Sequence, residues 1–196
     1  MSVQRLQHSF CHSNYTLRKK FKLFGKAFHV YGPDGQTVMF YVEQKAFKLR
    51  EEIKVYSAES NAETLVIKAR SIIDFSGVYD VIDSLRNQKV GALQRKGLES
   101  IFRDEWTIMN EYDSPIGTIK EDSAALALVR RFLLNLIPQT FKVEIDGQLV
   151  ATFRQNFMIL SQKIYVDLSP DVQNRFDRRL AIAAVILLAT IEGRQS

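Results

Sequence analysis

The chain has 196 residues, 46% of them apolar, enough for one substantial domain with its own core. Its single cysteine, Cys11, excludes an intrachain disulfide and fits a reducing compartment, and the first ten residues lack the continuous apolar core of a secretory signal. The net charge of +5 is unevenly placed: residues 1–33 hold Arg5, Arg18, Lys19, Lys20, Lys22 and Lys26 with no carboxylate, so the remainder sums to −1. A partner attracted by charge meets the N-terminal end.

In chain order, residues 1–14 are polar and aperiodic and read as a loose tail, with a single domain expected over 15–196. From Leu17 the pattern alternates, with Leu17, Phe21 and Leu23 on one side of a strand and Arg18, Lys20 and Lys22 on the other. Further strand patterns follow at 27–31, 37–42, 46–50, 53–57 and 64–73, the first two separated by the turn signal Gly32-Pro-Asp-Gly35.

A quasi-repeat runs through the chain. Phe28-His-Val30 leads to Val38, Tyr79-Asp-Val81 to Val90, Trp106-Thr-Ile108 to Ile116, and Phe141-Lys-Val143 to Val150. Each unit joins an aromatic and a branched residue, through a turn, to a second branched residue, and predicts a β-hairpin. The uneven spacing of the units excludes a solenoid or propeller. Between the third and fourth, residues 122–136 place Leu126, Val129, Leu133 and Leu136 at helical spacing before Pro138, which predicts an amphipathic helix.

The terminal stretch 170–192 predicts a second helix, with Ser169 as its N-cap and Pro170 in its first turn. Eleven of the twelve residues from Leu180 to Ile191 are apolar, including Leu180, Ile182, Val185, Ile186, Leu187, Leu188 and Ile191, so the helix has no polar face. Twelve residues rise roughly 18 Å against about 30 Å of hydrocarbon, and charges flank them on both sides. The helix therefore belongs inside protein and not across a membrane. A long antiparallel sheet that closes on itself removes its edges and covers such a helix completely. The expected fold is mainly β: a closed antiparallel barrel of about twelve strands around a buried hydrophobic C-terminal helix, with one additional amphipathic helix.

This order of motifs resembles the LURP-one-related proteins, the phospholipid scramblases and, more distantly, the tubby C-terminal domain. The residues that carry the likeness are Phe28-His-Val-Tyr-Gly-Pro-Asp-Gly35 with Phe47-Lys-Leu49, the hairpins at Tyr79 and Trp106, Gly117-Thr-Ile-Lys-Glu121, and Tyr165-Val-Asp-Leu-Ser-Pro-Asp171. The resemblance implies the same twelve-stranded barrel around a central helix. For function it implies phosphoinositide binding through paired cations in tubby-like domains, and calcium-dependent lipid movement in scramblases. Asp167, Asp171 and Asp177 are too widely spaced for the scramblase calcium loop.

No catalytic signature is present: there is no Gly-x-Ser-x-Gly, Walker loop, His-Glu-x-x-His or Cys-x-x-Cys, and His8, His12 and His29 form no metal-binding pattern. The chain is expected to be neither an enzyme nor a cofactor carrier. The residues pointing to function are cationic. Arg18, Lys20 and Lys22 form a row on one strand face, and Lys68 and Arg70 repeat the spacing of the tubby lipid-binding strand. The expectation is a cytoplasmic binding module, peripheral at the membrane, that recognises acidic phospholipid headgroups. A protein-binding scaffold and a lipid mover are the alternatives, and no nucleic-acid partner is expected.

Overall fold

A computed structural model describes residues 9–22, 25–44, 52–70, 77–96, 105–122, 139–158 and 161–191. These contain twelve strands: β1 (Asn14–Lys22), β2 (Gly25–Tyr31), β3 (Val38–Gln44), β4 (Glu52–Ser57), β5 (Glu63–Ala69), β6 (Val78–Asp83), β7 (Gln88–Arg95), β8 (Glu105–Met109), β9 (Pro115–Glu121), β10 (Gln139–Ile145), β11 (Gln148–Met158) and β12 (Ser161–Asp167). One helix, α1 (Arg178–Ile191), follows them. Every strand pairs antiparallel with its sequence neighbour, and β1 pairs with β12 to close the barrel.

The four expected hairpins are β2–β3, β6–β7, β8–β9 and β10–β11. Their turns need left-handed backbone, which Asn, Asp and Gly adopt at least cost. Gly35, Asn87, Asp113, Asp146 and Gly147 supply it, at φ values of 64°, 50°, 66°, 49° and 73°. The strand expected at 46–50 and the amphipathic helix expected at 122–136 lie outside the described residues, apart from Asp122.

Alternation along each strand sends one set of side chains inward. In β4, Ile53 and Val55 are buried while Glu52 and Lys54 are exposed. The inward sets surround α1, whose residues from Leu180 to Thr190 are all buried. At about 1.5–3 kcal/mol per large aliphatic side chain, burying Leu180, Ile182, Val185, Ile186, Leu187 and Leu188 contributes on the order of 10 kcal/mol. Ile191, expected in the same core, is half-buried and packs on its margin. The helix packs against β7, where a Cβ on Gly91 would lie 3.0 Å from Leu180 Cδ1 and, on the β8 side, 2.4 Å from the Met109 carbonyl oxygen.

Two expectations are corrected. The helix begins at Arg178, not at 170, and its N-cap is Asp177: Asp177 Oδ1 accepts Arg179 N at 2.8 Å, and its carbonyl accepts Ala181 N at 3.0 Å. Ser169 and Pro170 lie in turns because Asp171 takes the backbone N–H groups of Arg175 and Phe176 at 2.8 and 3.0 Å, competing with the helical ladder. Asn174, at φ 53°, then breaks the right-handed path. The N-terminal segment is also less loose than its composition suggests. Phe10 stacks on Phe40 at 4.4 Å, Tyr15 Oη donates to Ser9 O at 2.9 Å, and Ser13 O accepts Leu168 N at 2.7 Å. Residues 9–13 are thereby fastened to the barrel.

Candidate functional site

Barrel closure decides the setting of the predicted cation row. Arg18, Lys20 and Lys22 fall at alternate positions of β1, and of these three side chains the structure describes that of Arg18. Arg18 is held in place: its guanidinium lies 4.4 Å from the Tyr31 ring centroid and donates to Gly35 O at 2.8 Å. Its register partner on β12 is Lys163, whose partner on β11 is Asn156. One row along, Arg154 of β11 faces Tyr165 of β12, which is 42% exposed, and Tyr165 faces Thr16 of β1. Like charges directly opposite each other on a sheet are destabilising. Among the described residues no carboxylate forms a salt bridge with Arg18, Lys163 or Arg154. The acid of this face, Asp167, sits at the strand end, accepting from Asn14 Nδ2 and Ser169 N.

The second predicted pair lies elsewhere and in different company. β1 and β5 are separated by β2, β3 and β4, about 19 Å along the wall at strand spacing. Lys68 stands in register between Glu52 and Asp80. Arg70 lies just past the end of β5, donates to Asp80 at 2.9 and 2.6 Å, and also donates to Asp113. Lys89 bonds the same two carboxylates at 3.1 and 2.6 Å. Burial raises the pKa of Asp80, but hydrogen bonds from Arg70 and Lys89 outweigh it and hold the carboxyl below its usual range. Asp113 is lowered by Lys89 and Arg70. Two cations and two carboxylates thus neutralise one another, and the structure does not join this pair to the β1 row.

A cleft of about 500 Å³ lies where α1 enters the barrel, between the N-terminal segment, the β6–β7 turn and residues 174–179. Asp83, at the end of β6, is 3% exposed, and both of its oxygens are taken. Oδ1 accepts Leu85 N and Arg86 N at 3.0 and 3.1 Å, and Oδ2 accepts Arg86 Nη1 and Arg179 Nη1 at 2.9 and 2.6 Å. Arg179 also grips Asp177 through Nε and Nη2 at 3.0 and 2.6 Å. Arg178 Nη1 donates to Asp171 at 2.6 Å. Burial pushes the pKa of Asp83 up, yet the Arg179 and Arg86 bonds hold it below the ordinary carboxylate value; burial likewise opposes, and the Phe176 N–H with Arg178 overcomes, the same shift at Asp171. Beside the cleft, burial pushes the Tyr15 phenol up to about 12.

Sequence reasoning missed Lys163, Arg154 and the cleft. Each depends on pairing between distant segments; Arg179 and Asp83 are 96 residues apart. The acid-free β1 row was the only local signal. Among the described residues no cluster of three or more His, Cys, Asp or Glu is placed to hold a metal ion, and no helix is long and apolar enough to cross a membrane.

The same architecture is found in a protein of Arabidopsis thaliana solved by X-ray crystallography. The two superpose with a TM-score of 0.52 at 10% identity, covering 93% of this chain and 94% of that one, a likeness of fold alone. No curated protein matches the sequence. The family model that matches, LURP-one-related, spans residues 13–189, through all twelve strands and most of the central helix. The chain belongs to the LURP-one-related family.

Proposed function

We propose that the protein is a non-enzymatic binding module that recognises acidic phospholipid headgroups at the cytoplasmic membrane face, through the outer surface of β11, β12 and β1. The observation that carries this reading is the apposition of Arg18 and Lys163 without a carboxylate, on a face that continues to Arg154, with Lys20 and Lys22 next at alternate positions in the sequence of β1. The Arg70–Asp80–Lys89–Asp113 group shows how the same barrel neutralises cations elsewhere. Repulsion left standing on one face is better explained by an anionic partner than by stability. Tyr165, half-exposed among these cations, suits the amphipathic headgroup region.

Each cation near an anionic leaflet contributes about 1 kcal/mol, so three give roughly 3 kcal/mol and a reversible attachment. Vesicle flotation tests the reading. Wild-type protein should float with phosphatidylserine or phosphoinositide vesicles and not with phosphatidylcholine, and Arg18/Lys20/Lys22→Ala should lose about a hundredfold in apparent affinity. Equal flotation of the two proteins, or none by either, contradicts it. Lipid movement by α1 is disfavoured, because its residues from Leu180 to Thr190 are sealed by the barrel wall. A protein-binding scaffold draws support from a different feature: Leu85, Tyr112 and Val172, at 38%, 80% and 86% exposure, lie on loops rather than in the barrel wall. Lipid-independent binding that survives high salt would favour that second reading.

A further inference from the structure

Among the described residues, two surfaces carry charge with no counterpart inside the molecule. One is the cation wall of β11, β12 and β1; the other is the barrel rim at the end where α1 enters. Strands alternate in direction, so the β8–β9 turn, the β10–β11 turn and the segment between β12 and α1 all open at that end. Asp146 N donates to Ile116 O at 3.1 Å and Thr152 pairs with Asp167, which ties the three together. Their tips carry the most exposed large apolar side chains, Val172 at 86% and Tyr112 at 80%, with Leu149 at 41% on the turn between. Residues 110–115, 146–149 and 169–174 hold four carboxylates and no lysine or arginine, in a chain of net charge +5. Arg70 and Lys89 hold Asp113, and Arg178 holds Asp171. Glu111 and Asp146 are exposed and, among the described residues, form no salt bridge. The first cation beyond the rim, Arg175, is turned to Gln173 Oε1 at 2.8 Å. The wall is the inverse: Arg18, Lys163 and Arg154 without a paired carboxylate, and Tyr165 half-exposed among them.

We propose that the rim of one copy docks on the cation wall of a second copy of this chain. Charge complementarity selects this occupant, because each surface supplies what the other lacks, and each presents a tyrosine that the contact would cover. Apolar tips alone would accept many partners, whereas carboxylates without accompanying cations reject an acidic one. Rim and wall are different patches, so the contact is heterologous and copies add head to tail. A leaflet and a second copy exclude each other at the wall. The contact itself needs no lipid, so it stands or falls independently of the lipid reading.

The experiment is analytical ultracentrifugation of the full chain without lipid, from about 5 to 500 µM, at about 50 mM and about 1 M salt. The average mass should rise above 22.5 kDa with concentration at low salt and fall back toward it at high salt. Asp146→Lys and Lys163→Glu should each weaken self-association at least about tenfold. Mixed in equal amounts, the two variants should associate again, because the new lysine on one rim meets the new glutamate on the other wall. Tyr112→Ser, which leaves the charge unchanged, should weaken association about tenfold. Glu111→Lys takes the place of Asp146→Lys if that variant does not fold. A mass of 22.5 kDa at every concentration overturns the proposal and leaves the rim to a basic partner other than this chain. Association that salt, the charge reversals or Tyr112→Ser leave unchanged, or that the mixture does not restore, overturns it too.

Discussion

Asp83 shows how a single residue ties the barrel to its plug. It closes β6, caps the turn that follows and receives Arg179 from the first turn of α1, while remaining 3% exposed. Its pKa is lowered in the folded state by Arg179 and Arg86 against the opposing effect of burial. A depressed carboxylate contributes stability above its unfolded pKa, about 3.9, and loses it as pH falls through the lower folded value. Asp83→Asn should therefore cost about 2–4 kcal/mol at neutral pH, since Arg179 loses a buried partner, and should show a shallower loss of stability below about pH 4. Urea unfolding at both pH values measures this; an unchanged acid profile would show that Asp83 carries no such linkage. Tyr15 has the opposite sign. Its pKa is raised by burial, so its contribution is intact below the unfolded value near 10 and is lost as pH rises through the folded value of about 12. Tyr15→Phe should flatten the alkaline limb of the stability curve while losing the bond to Ser9 O. None of this is legible locally, because nothing around Asp83 in the sequence names Arg179 as its partner.

At the level of elements, what is local was readable and what is contextual was not. The hairpins are fixed by alternation and by Asn, Asp and Gly at turn positions, and both signals lie within a dozen residues of each other. The helix start failed for a physical reason. Ser169-Pro170-Asp171 has good N-terminal chemistry, but Asp171 spends its carboxylate on the Arg175 and Phe176 N–H groups and on Arg178, and the chain turns once more before Asp177 caps it. Asp177→Ala should therefore destabilise by about 1–2 kcal/mol, whereas Ser169→Ala should be nearly neutral. Comparing their thermal melts assigns the cap, and the reverse order would restore the earlier start. The packing of β7 against β8 and α1 gives a second test. Gly91→Val places a Cβ 2.4 Å from the Met109 carbonyl oxygen of β8 and 3.0 Å from Leu180 Cδ1 of α1, so β7 must shift against β8. Overpacking of this kind should lower the melting temperature by on the order of 5–10 °C. A melting temperature equal to wild type would mean that β7 is less closely packed against β8 and α1.

For the whole molecule, the terminal helix was legible because twelve residues without a polar face require cover on every side, and a closed sheet provides it. The proposed lipid-binding face was only half legible. The acid-free N-terminal run announces β1, but its opposing strand comes from residues 161–167, and only closure brings Lys163 against Arg18. The same closure separates Lys68 and Arg70 from that face and places Arg70 among carboxylates. Lys163→Glu bears most directly on whether the Arg18–Lys163 apposition serves an anionic lipid partner. It replaces a like-charge pair by an opposite-charge pair, worth about 0.2–1 kcal/mol to the sheet, so the variant should be at least as stable as wild type in urea. Its flotation with phosphatidylserine vesicles should nonetheless fall by about tenfold or more. A variant that gains stability and binds these vesicles as well as wild type would contradict the assignment of this face to lipid.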